Sequence, residues 1–226
     1  MMIHTLHTIG KGFCGTVWAA SETGLAYKRE DGGPDRSLKN DFEMHRRILR
    51  SFRASADFLK TQHLQIQIPT CHNFIDAMDQ EWWTRNLSRF PPGTHHVMSF
   101  SLSAFRHYQK PEPDKDCLIR PYLGRRRTKR QDSTSRFTAF SLRNFPLHID
   151  QMESLGLPIS DVQKYARAMA GTLAVMHWVG EIDGNDIEFV LAPPPLNSAG
   201  TSKASIMSNT LGEHTVWVLD FDCAGA

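Results

Sequence analysis

The sequence predicts an α+β fold built in two layers. Its segments follow the order strands, helix, strands, helix, strands, which is typical of sheets covered by helices. The 226 residues include 40% hydrophobic and 22% charged residues, the balance of an ordinary globular chain. At this length we expect one integrated domain or two small lobes, large enough to bury a substantial core.

The strands are predicted from alternation and from the Gly, Pro and polar clusters that bound them. They span residues 3–9, 16–20, 25–28, 68–75, 117–123, 187–191 and 215–221. Three segments, 30–37, 89–94 and 193–210, are predicted to be loops. The long helix over 38–60 is predicted because apolar residues recur there every three or four positions.

A second long helix is predicted over 161–178, where one apolar stripe runs along the segment. Ser160 is the expected N-cap, with Gln163 completing a capping box, and Gly180 is expected to close the helix.

Composition and charge exclude several classes of protein. The formal net charge is +2, no stretch reaches the ~18 apolar residues that a membrane span needs, and the first ten residues are too polar for a secretory signal. The four cysteines are far apart, so we expect reduced thiols, no structural zinc and no metal site. The expected location is the cytoplasm, with no membrane or DNA partner.

A glycine triplet lies between the first two predicted strands. Gly10, Gly12 and Gly15 have the spacing G-x-G-x-x-G-x-V. Glycines that bind a dinucleotide open a helix, whereas glycines between two strands suit a hairpin over a phosphate-bearing ligand. A flexible turn without a ligand remains the alternative.

A lysine ends the third predicted strand, and an acidic residue follows on the next helix. Lys28 and Glu43 have the positions of a strand lysine and a helix glutamate that together hold phosphates in kinase-like proteins. A surface lysine and a surface glutamate are the alternative interpretation.

Acidic residues follow the second long helix and the last strand. Asp183, Glu188, Asp220 and Asp222 lie at the ends of apolar segments, with Asn185 and Asp186 beside them. Buried carboxylates are costly unless they bind a metal or another cation, so we treat them as site candidates. Capping and turn formation are the alternative.

Together these motifs resemble the protein kinase-like fold in a reduced form. The resemblance implies a first lobe over 1–124, with a sheet and one helix, and a shortened second part over 125–226 within one integrated domain. The departures argue against a working protein kinase: no His-Arg precedes Asp183, Asn185 replaces a lysine, Glu188 replaces an asparagine, and Asp222 replaces a glycine.

A closer resemblance rests on LRNFPLHIDQMESLGL, AGTLAVMHWVGEIDGNDIEFVLA and VWVLDFD, within residues 117–226. These blocks resemble a fungal family described as hypothetical or zinc-finger proteins, which includes arginine-containing cyclodipeptide synthases of secondary metabolism. The resemblance implies an aminoacyltransferase that takes arginine and a second amino acid from charged tRNAs, with no cofactor required. Under this interpretation the catalytic residues are Asp183, as the base, with Glu188 and Asp220. The substrate-binding residues are Lys28, Glu43, Asn185, Asp186 and Asp222.

A basic tract supplies the charge that such an enzyme needs for tRNA. Its residues are Arg125, Arg126, Arg127, Lys129 and Arg130, and the glycine hairpin is a second candidate for phosphate binding. A solvated loop or a nuclear-import signal is the alternative for the tract.

Two further hypotheses remain. The same carboxylates could hold Mg²⁺ with ATP in a phosphotransferase or small-molecule kinase. The chain could also be a pseudokinase-like binding module without turnover.

Overall fold

A computed structural model describes residues 6–12, 15–20, 24–30, 37–64, 66–76, 78–90, 97–101, 118–127, 145–194 and 206–225. The strands in these ranges are β1 (Leu6–Gly12), β2 (Gly15–Ala20), β3 (Leu25–Arg29), β4 (Cys71–Ile75), β5 (Val97–Ser101), β6 (Ile119–Tyr122), β7 (Phe145–His148), β8 (Glu188–Ala192), β9 (Met207–Asn209) and β10 (Gly212–Leu219). The helices are α1 (Leu38–Ala54), α2 (Ala56–Thr61), α3 (Gln80–Asn86), α4 (Ile149–Ser154) and α5 (Ile159–Trp178). The predicted α+β class is confirmed.

The first sheet has the order β1-β2-β3-β5-β4, and its neighbouring strands are antiparallel. The glycine triplet lies in the hairpin between β1 and β2, where Gly12 is paired with Gly15. The prediction that the triplet lies between two paired strands is therefore confirmed. Alternation along β3 directs Ala26 and Lys28 to the face that α1 covers, and Tyr27 to the opposite face.

The second sheet has the order β7-β6-β8-β10-β9, and β6 and β7 are its parallel pair. Strands β8 and β10 bury consecutive apolar residues, because this part of the sheet is covered on both faces. Its strands come from both predicted parts of the chain, because β6 precedes residue 124 and β7 to β10 follow it. Gln67 joins it as well, since its backbone bonds to Val216 and Val218 of β10.

Helix α1 lies between the two sheets. Ser37 caps its first turn by accepting a hydrogen bond from the Asn40 amide at 3.2 Å. Leu38 packs against the first sheet, whereas Met44 and Ile48 pack against α5 and β10. One helix therefore contributes to both hydrophobic cores.

The predicted helix over 38–60 is wrong in one respect, because the helix is interrupted at Ser55. This residue has φ −94° and ψ 8°, so it ends α1 and begins α2. The apolar periodicity continues across the break, which is why the sequence alone predicts a single helix.

The predicted capping of α5 is also wrong. The helix begins after Pro158, whose φ of −60° and ψ of 137° are extended, and Ser160 lies within the first turn. No side-chain cap forms there, so the capping box with Gln163 is absent from this terminus. At the other end Val179 is the C-cap, and the Gly180 amide bonds to the Val175 carbonyl at 2.9 Å.

Several boundaries and elements differ from the predictions. The predicted loop over 193–210 contains β9, which pairs with β10. The predicted strand over 215–221 ends at Leu219, so Asp220 lies just beyond it. The strand predicted over 68–75 starts at Cys71, after Pro69. Strands β5 and β7 and helices α3 and α4 were not predicted, because their apolar repeats are too short to show a period.

Some predictions lie outside the described residues. These are the beginning of the first strand, at residues 3–5, and most of the three predicted loops. None of the helices in the described ranges is long and apolar enough to span a membrane.

The geometry of the glycine hairpin yields a stability prediction. Gly15 has φ +143°, and a Cβ atom there would lie 2.0 Å from the Arg29 carbonyl oxygen. Gly15→Ala should therefore lower the free energy of unfolding by at least about 2 kcal/mol. Gly10→Ala is the matched control, because a Cβ atom at Gly10 meets nothing within 4 Å. Urea denaturation measures both variants, and equal stabilities would contradict the described backbone.

Candidate functional site

A buried lysine links the first sheet, α1 and the end of β10. The Nζ atom of Lys28 lies 2.6 Å from Oδ2 of Asp41 and 2.7 Å from Oδ1 of Asp220. Lys28 is 7% exposed and Asp41 is 1% exposed, so this pair is almost fully withdrawn from water, whereas Asp220 is half-buried. Neither carboxylate would be tolerated there without the lysine, because an unpaired buried charge is strongly unfavourable.

The two carboxylates decide the protonation state of Lys28. Burial alone would lower the pKa of its ammonium group, but the charges of Asp41 and Asp220 and their hydrogen bonds raise it above the ordinary value. Lys28 therefore remains a cation, and it is already engaged by two anions.

The predicted pairing of Lys28 with Glu43 is wrong. Asp41 makes the contact, and Glu43 is exposed. The reason is the helical period: residue 41 shares the inward face of α1 with Met44, His45 and Ile48, whereas residue 43 points away from it. A helical-wheel comparison would have identified Asp41, which the sequence analysis missed.

The turn after β10 carries Asp220 and one further carboxylate, Asp222, beside it. Asp220 has φ +62°, a left-handed conformation that is unusual for a residue with a side chain. Phe221 then enters the core, and Asp222 is 4% exposed. Burial raises the pKa of Asp220; the charge of Lys28 opposes this, and the charge and hydrogen bond of Asp222 reinforce it.

Helix α1 also holds this turn through its first residues. The Nδ2 group of Asn40 donates to the carbonyl oxygens of Asp222 and Ala224, each at 3.0 Å. Asn40 thus holds the backbone of the turn. Asp41 is linked to the Asp220 carboxylate of the turn through Lys28.

Glu188 lies on β8 and contacts Arg120 of β6, with Oε2 of Glu188 2.5 Å from Nη2 of Arg120. Burial raises the pKa of Glu188 to about 7; Arg120 opposes the shift, and the charges of Asp220 and Asp186 add to it. The Nε atom of Arg120 is buried and has no hydrogen-bond partner in the part of the chain that the structure describes. Arg120 is not among the site residues predicted from the sequence.

The segment between α5 and β8 carries the other predicted residues. The Asp183 carboxylate accepts hydrogen bonds from the amides of Gly225, at 3.0 Å, and Asn185, at 3.2 Å. The Asp183 amide in turn donates to the Gly225 carbonyl. Asp183 thus joins this segment to the 220–225 turn, while Asn185 is exposed.

Asp186 has φ +61°, and it lies near the turn. Its carboxylate, that of Asp222 and the Cys223 thiol offer ligand atoms within 4.8 Å of one another, so this group could hold a cation. From the cysteine spacing the sequence predicts no metal site, and Mg²⁺ binding by the acidic residues belongs to the phosphotransferase alternative.

These contacts define one group of charged side chains, which we call the ionic cluster. It comprises Lys28, Asp41, Arg120, Asp186, Glu188, Asp220 and Asp222. Five of its members are carboxyl groups and two are cations, so the cluster attracts positively charged ligands. The structure therefore brings together Lys28 and four of the predicted acidic residues, with Asp183 joined through Gly225.

The glycine hairpin reaches the same end of β3. Gly15 packs against the backbone of Arg29, which follows Lys28, and Val17 is the partner of Lys28 in the ladder. Gly12 is paired with Gly15 at the end of β1, and Gly10 lies two residues earlier, after a register shift.

The basic tract is less cationic than its sequence suggests. Arg126 makes a bidentate pair with Glu153, at 2.7 and 2.6 Å, and Arg127 bonds to Asp150 at 2.8 Å. Arg125 is exposed, and Lys129 and Arg130 lie outside the described residues. Part of the positive charge that predicts tRNA binding is thus neutralised by helix α4.

No family model, curated protein or solved structure matches this chain. The functional argument therefore rests on the ionic cluster, and the resemblances of the sequence remain predictions.

A double-mutant cycle tests the link between Lys28 and Asp41. Lys28→Met leaves two carboxylates without their buried cation, so we expect it to lower the free energy of unfolding by about 3–5 kcal/mol. Adding Asp41→Asn should restore part of this loss, because one of the two unpaired charges is removed. Urea unfolding of the four proteins measures the coupling, and strictly additive effects would contradict the ion pair.

Proposed function

We propose that this protein is an aminoacyltransferase that makes an arginine-containing cyclic dipeptide from aminoacyl-tRNAs. The observation that carries the proposal is the excess of carboxyl groups in the ionic cluster. An arginyl group brings a guanidinium and an α-ammonium, and both require carboxylate partners in a confined site. The resemblance of the IDGNDIEFVL and LDFD segments to cyclodipeptide synthases supports the same conclusion.

The exposed carboxylate of Asp186, with Asp222 beside it, is the part of the cluster best suited to the substrate. Asp186 is reached from solvent and lies within 4.8 Å of Asp222, so the pair can receive a planar cation by two parallel hydrogen bonds.

The reaction consists of two aminolysis steps without net oxidation or reduction. The α-amine of one aminoacyl ester attacks the carbonyl carbon of the other, a C–N bond forms, and the C–O bond to the tRNA ribose breaks. The amine of the resulting dipeptidyl ester then attacks its own ester carbonyl. This step closes the ring and releases the second tRNA hydroxyl. Holding both esters in one site supplies most of the rate.

Glu188 is the general base of this proposal. A base with a pKa of about 7 can accept the proton of an α-ammonium group near neutral pH and return it to the leaving hydroxyl. Arg120 contacts Oε2, so we assign proton transfer to Oε1.

Asp183 has a positioning role here, in place of the base predicted from the sequence. Its contacts with Gly225 and Asn185 hold the acidic segments in register. Asp220 completes the site by fixing Lys28 and raising the pKa of Glu188.

The element order supports a reduced kinase-like fold as part of the proposal. A five-stranded antiparallel sheet begins with a glycine hairpin and carries a lysine on its third strand. Helix α1 follows β3 along the chain and precedes β4. An aspartate at the end of β10 then contacts that lysine.

A phosphotransferase that uses Mg²⁺ and ATP is the second candidate. The observation that favours it is the group of Asp186, Asp222 and Cys223, which could hold a divalent cation. The carboxyl excess would repel a triphosphate without that cation, and Lys28 is already bound to two anions.

Mass spectrometry of a host that expresses the chain tests the proposed reaction. We expect a new mass that fits cyclo-arginine with one other amino acid, and its loss in Asp220→Asn. Asp57→Asn, an exposed change on α2, is the matched control and should keep the product. Soluble, folded protein without product would contradict the proposal. A rise in melting temperature with millimolar Mg-ATP would then support the second candidate.

The pH dependence of the transfer tests the role of Glu188. The base must be ionised to accept a proton, so the initial rate should rise with pH and level off above an apparent pKa near 7. Glu188→Gln should remove this limb and lower the rate by about 10²-fold or more. Rates are measured with purified charged tRNAs, and a limb that persists in Glu188→Gln would assign it to another group.

A further inference from the structure

A groove with a volume of about 540 Å³ lies between α1 and β4, on a side of α1 that the proposed reaction does not use. Three arginines of α1 line it, namely Arg46, Arg50 and Arg53. Phe42, Phe74 and His72 supply aromatic rings along the same groove. The groove is therefore both cationic and aromatic.

The helical period places the three arginines in one row. Their separations of four and three residues return to the same face of α1, and they span about 10 Å along its axis. The inward face of the helix is occupied by Met44 and Ile48. The arginine row is thus fixed by the same packing that fixes the ionic cluster.

The charges of this row are not neutralised by the described part of the chain. Within it, Arg46, Arg50 and Arg53 form no ion pair, whereas Arg126 and Arg127 of the basic tract are both paired. The guanidinium of Arg46 lies 5.6 Å from the centre of the Phe42 ring, which in turn lies 5.7 Å from the Phe74 ring. Among the described residues, none neutralises these three charges by an ion pair.

A row of cations beside aromatic rings is the combination that binds single-stranded nucleic acid, since phosphates contact the cations and bases stack on the rings. A phosphorylated side chain would engage one phosphate, whereas three arginines in a row match consecutive phosphates. We propose that this groove binds a single-stranded RNA segment. The identity of the RNA rests on the proposed function: the segment is the 3′ end of the charged tRNA.

The position of the groove agrees with that role. Arg46 lies five residues, or about 7.5 Å along the helix axis, from Asp41 of the ionic cluster. An RNA strand that runs from Arg53 towards Arg46 therefore approaches the end of α1 that faces the cluster.

Binding of two fluorescent probes tests the proposal: a single-stranded RNA oligonucleotide and an uncharged tRNA that accepts arginine. The triple variant Arg46→Gln, Arg50→Gln, Arg53→Gln should weaken binding of both by at least tenfold at about 0.1 M salt. The slope of log affinity against log salt is negative, and its magnitude should fall by about 2, because three contacts to single-stranded phosphates are lost. The corresponding three Arg→Lys changes should retain most of the slope.

The matched control removes the same charge elsewhere. Lys39→Gln, Lys60→Gln and Arg167→Gln change three exposed cations outside the groove, and binding should stay within about twofold. Circular dichroism and melting temperature establish that both triple variants are folded. Equal losses in the two triples would overturn the groove as the site, as would unchanged binding in the groove triple. Binding of a phosphoserine peptide in preference to RNA would overturn the choice of partner.

Product formation separates this proposal from the proposed function. If the wild-type protein makes the cyclic dipeptide while the groove triple binds RNA normally, only the groove assignment fails. If the groove triple loses RNA binding but neither the wild type nor the variant makes product, the proposed reaction is wrong and the RNA-binding site is supported.

Discussion

The contact on which the rest of the structure depends is the bond of one buried ammonium group to two carboxylates. Lys28 belongs to the first sheet, Asp41 to the helix between the sheets, and Asp220 to the turn after the second sheet. Each charge is tolerated in the interior because the others are present, so none can be lost alone. The position of α1 relative to both sheets is fixed by this requirement together with its two apolar faces.

The same contact explains the chemistry of the neighbouring groups. Lys28 contacts Asp41 and Asp220, and the cluster contains three further carboxyl groups, those of Asp186, Glu188 and Asp222. Burial raises the pKa values of Asp220 and Glu188, and repulsion by neighbouring carboxylates adds to the shift. Left-handed backbone at Asp186 and Asp220 brings these side chains together, at a cost that the surrounding packing must offset. Such a concentration of unfavourable features is typical of a functional site.

Sequence reasoning predicted the elements with long periodic or strongly marked patterns. The glycine hairpin, the two long helices and the acidic ends of β8 and β10 belong to this group. It was wrong where partners are set by three-dimensional packing. Asp41, and not Glu43, is the partner of Lys28, because the two hydrophobic cores decide which face of α1 points inward. Pro158, and not Ser160, is the N-cap of α5. The contact between Arg120 and Glu188 could not be predicted, because pairing of β6 with β8 creates it across 68 residues.

The distances along the chain between the partners of Lys28 have a consequence for folding. Asp41 is 13 residues away and can meet the lysine as soon as β3 and α1 form, whereas Asp220 is 192 residues away. Closing so long a loop carries a large entropic cost, and contacts of this kind slow the search for the native state. The pair of Lys28 and Asp41 needs only local chain closure, whereas the complete charge balance arises only when the last strand docks. The docking of the last strand therefore completes both the fold and the ionic cluster.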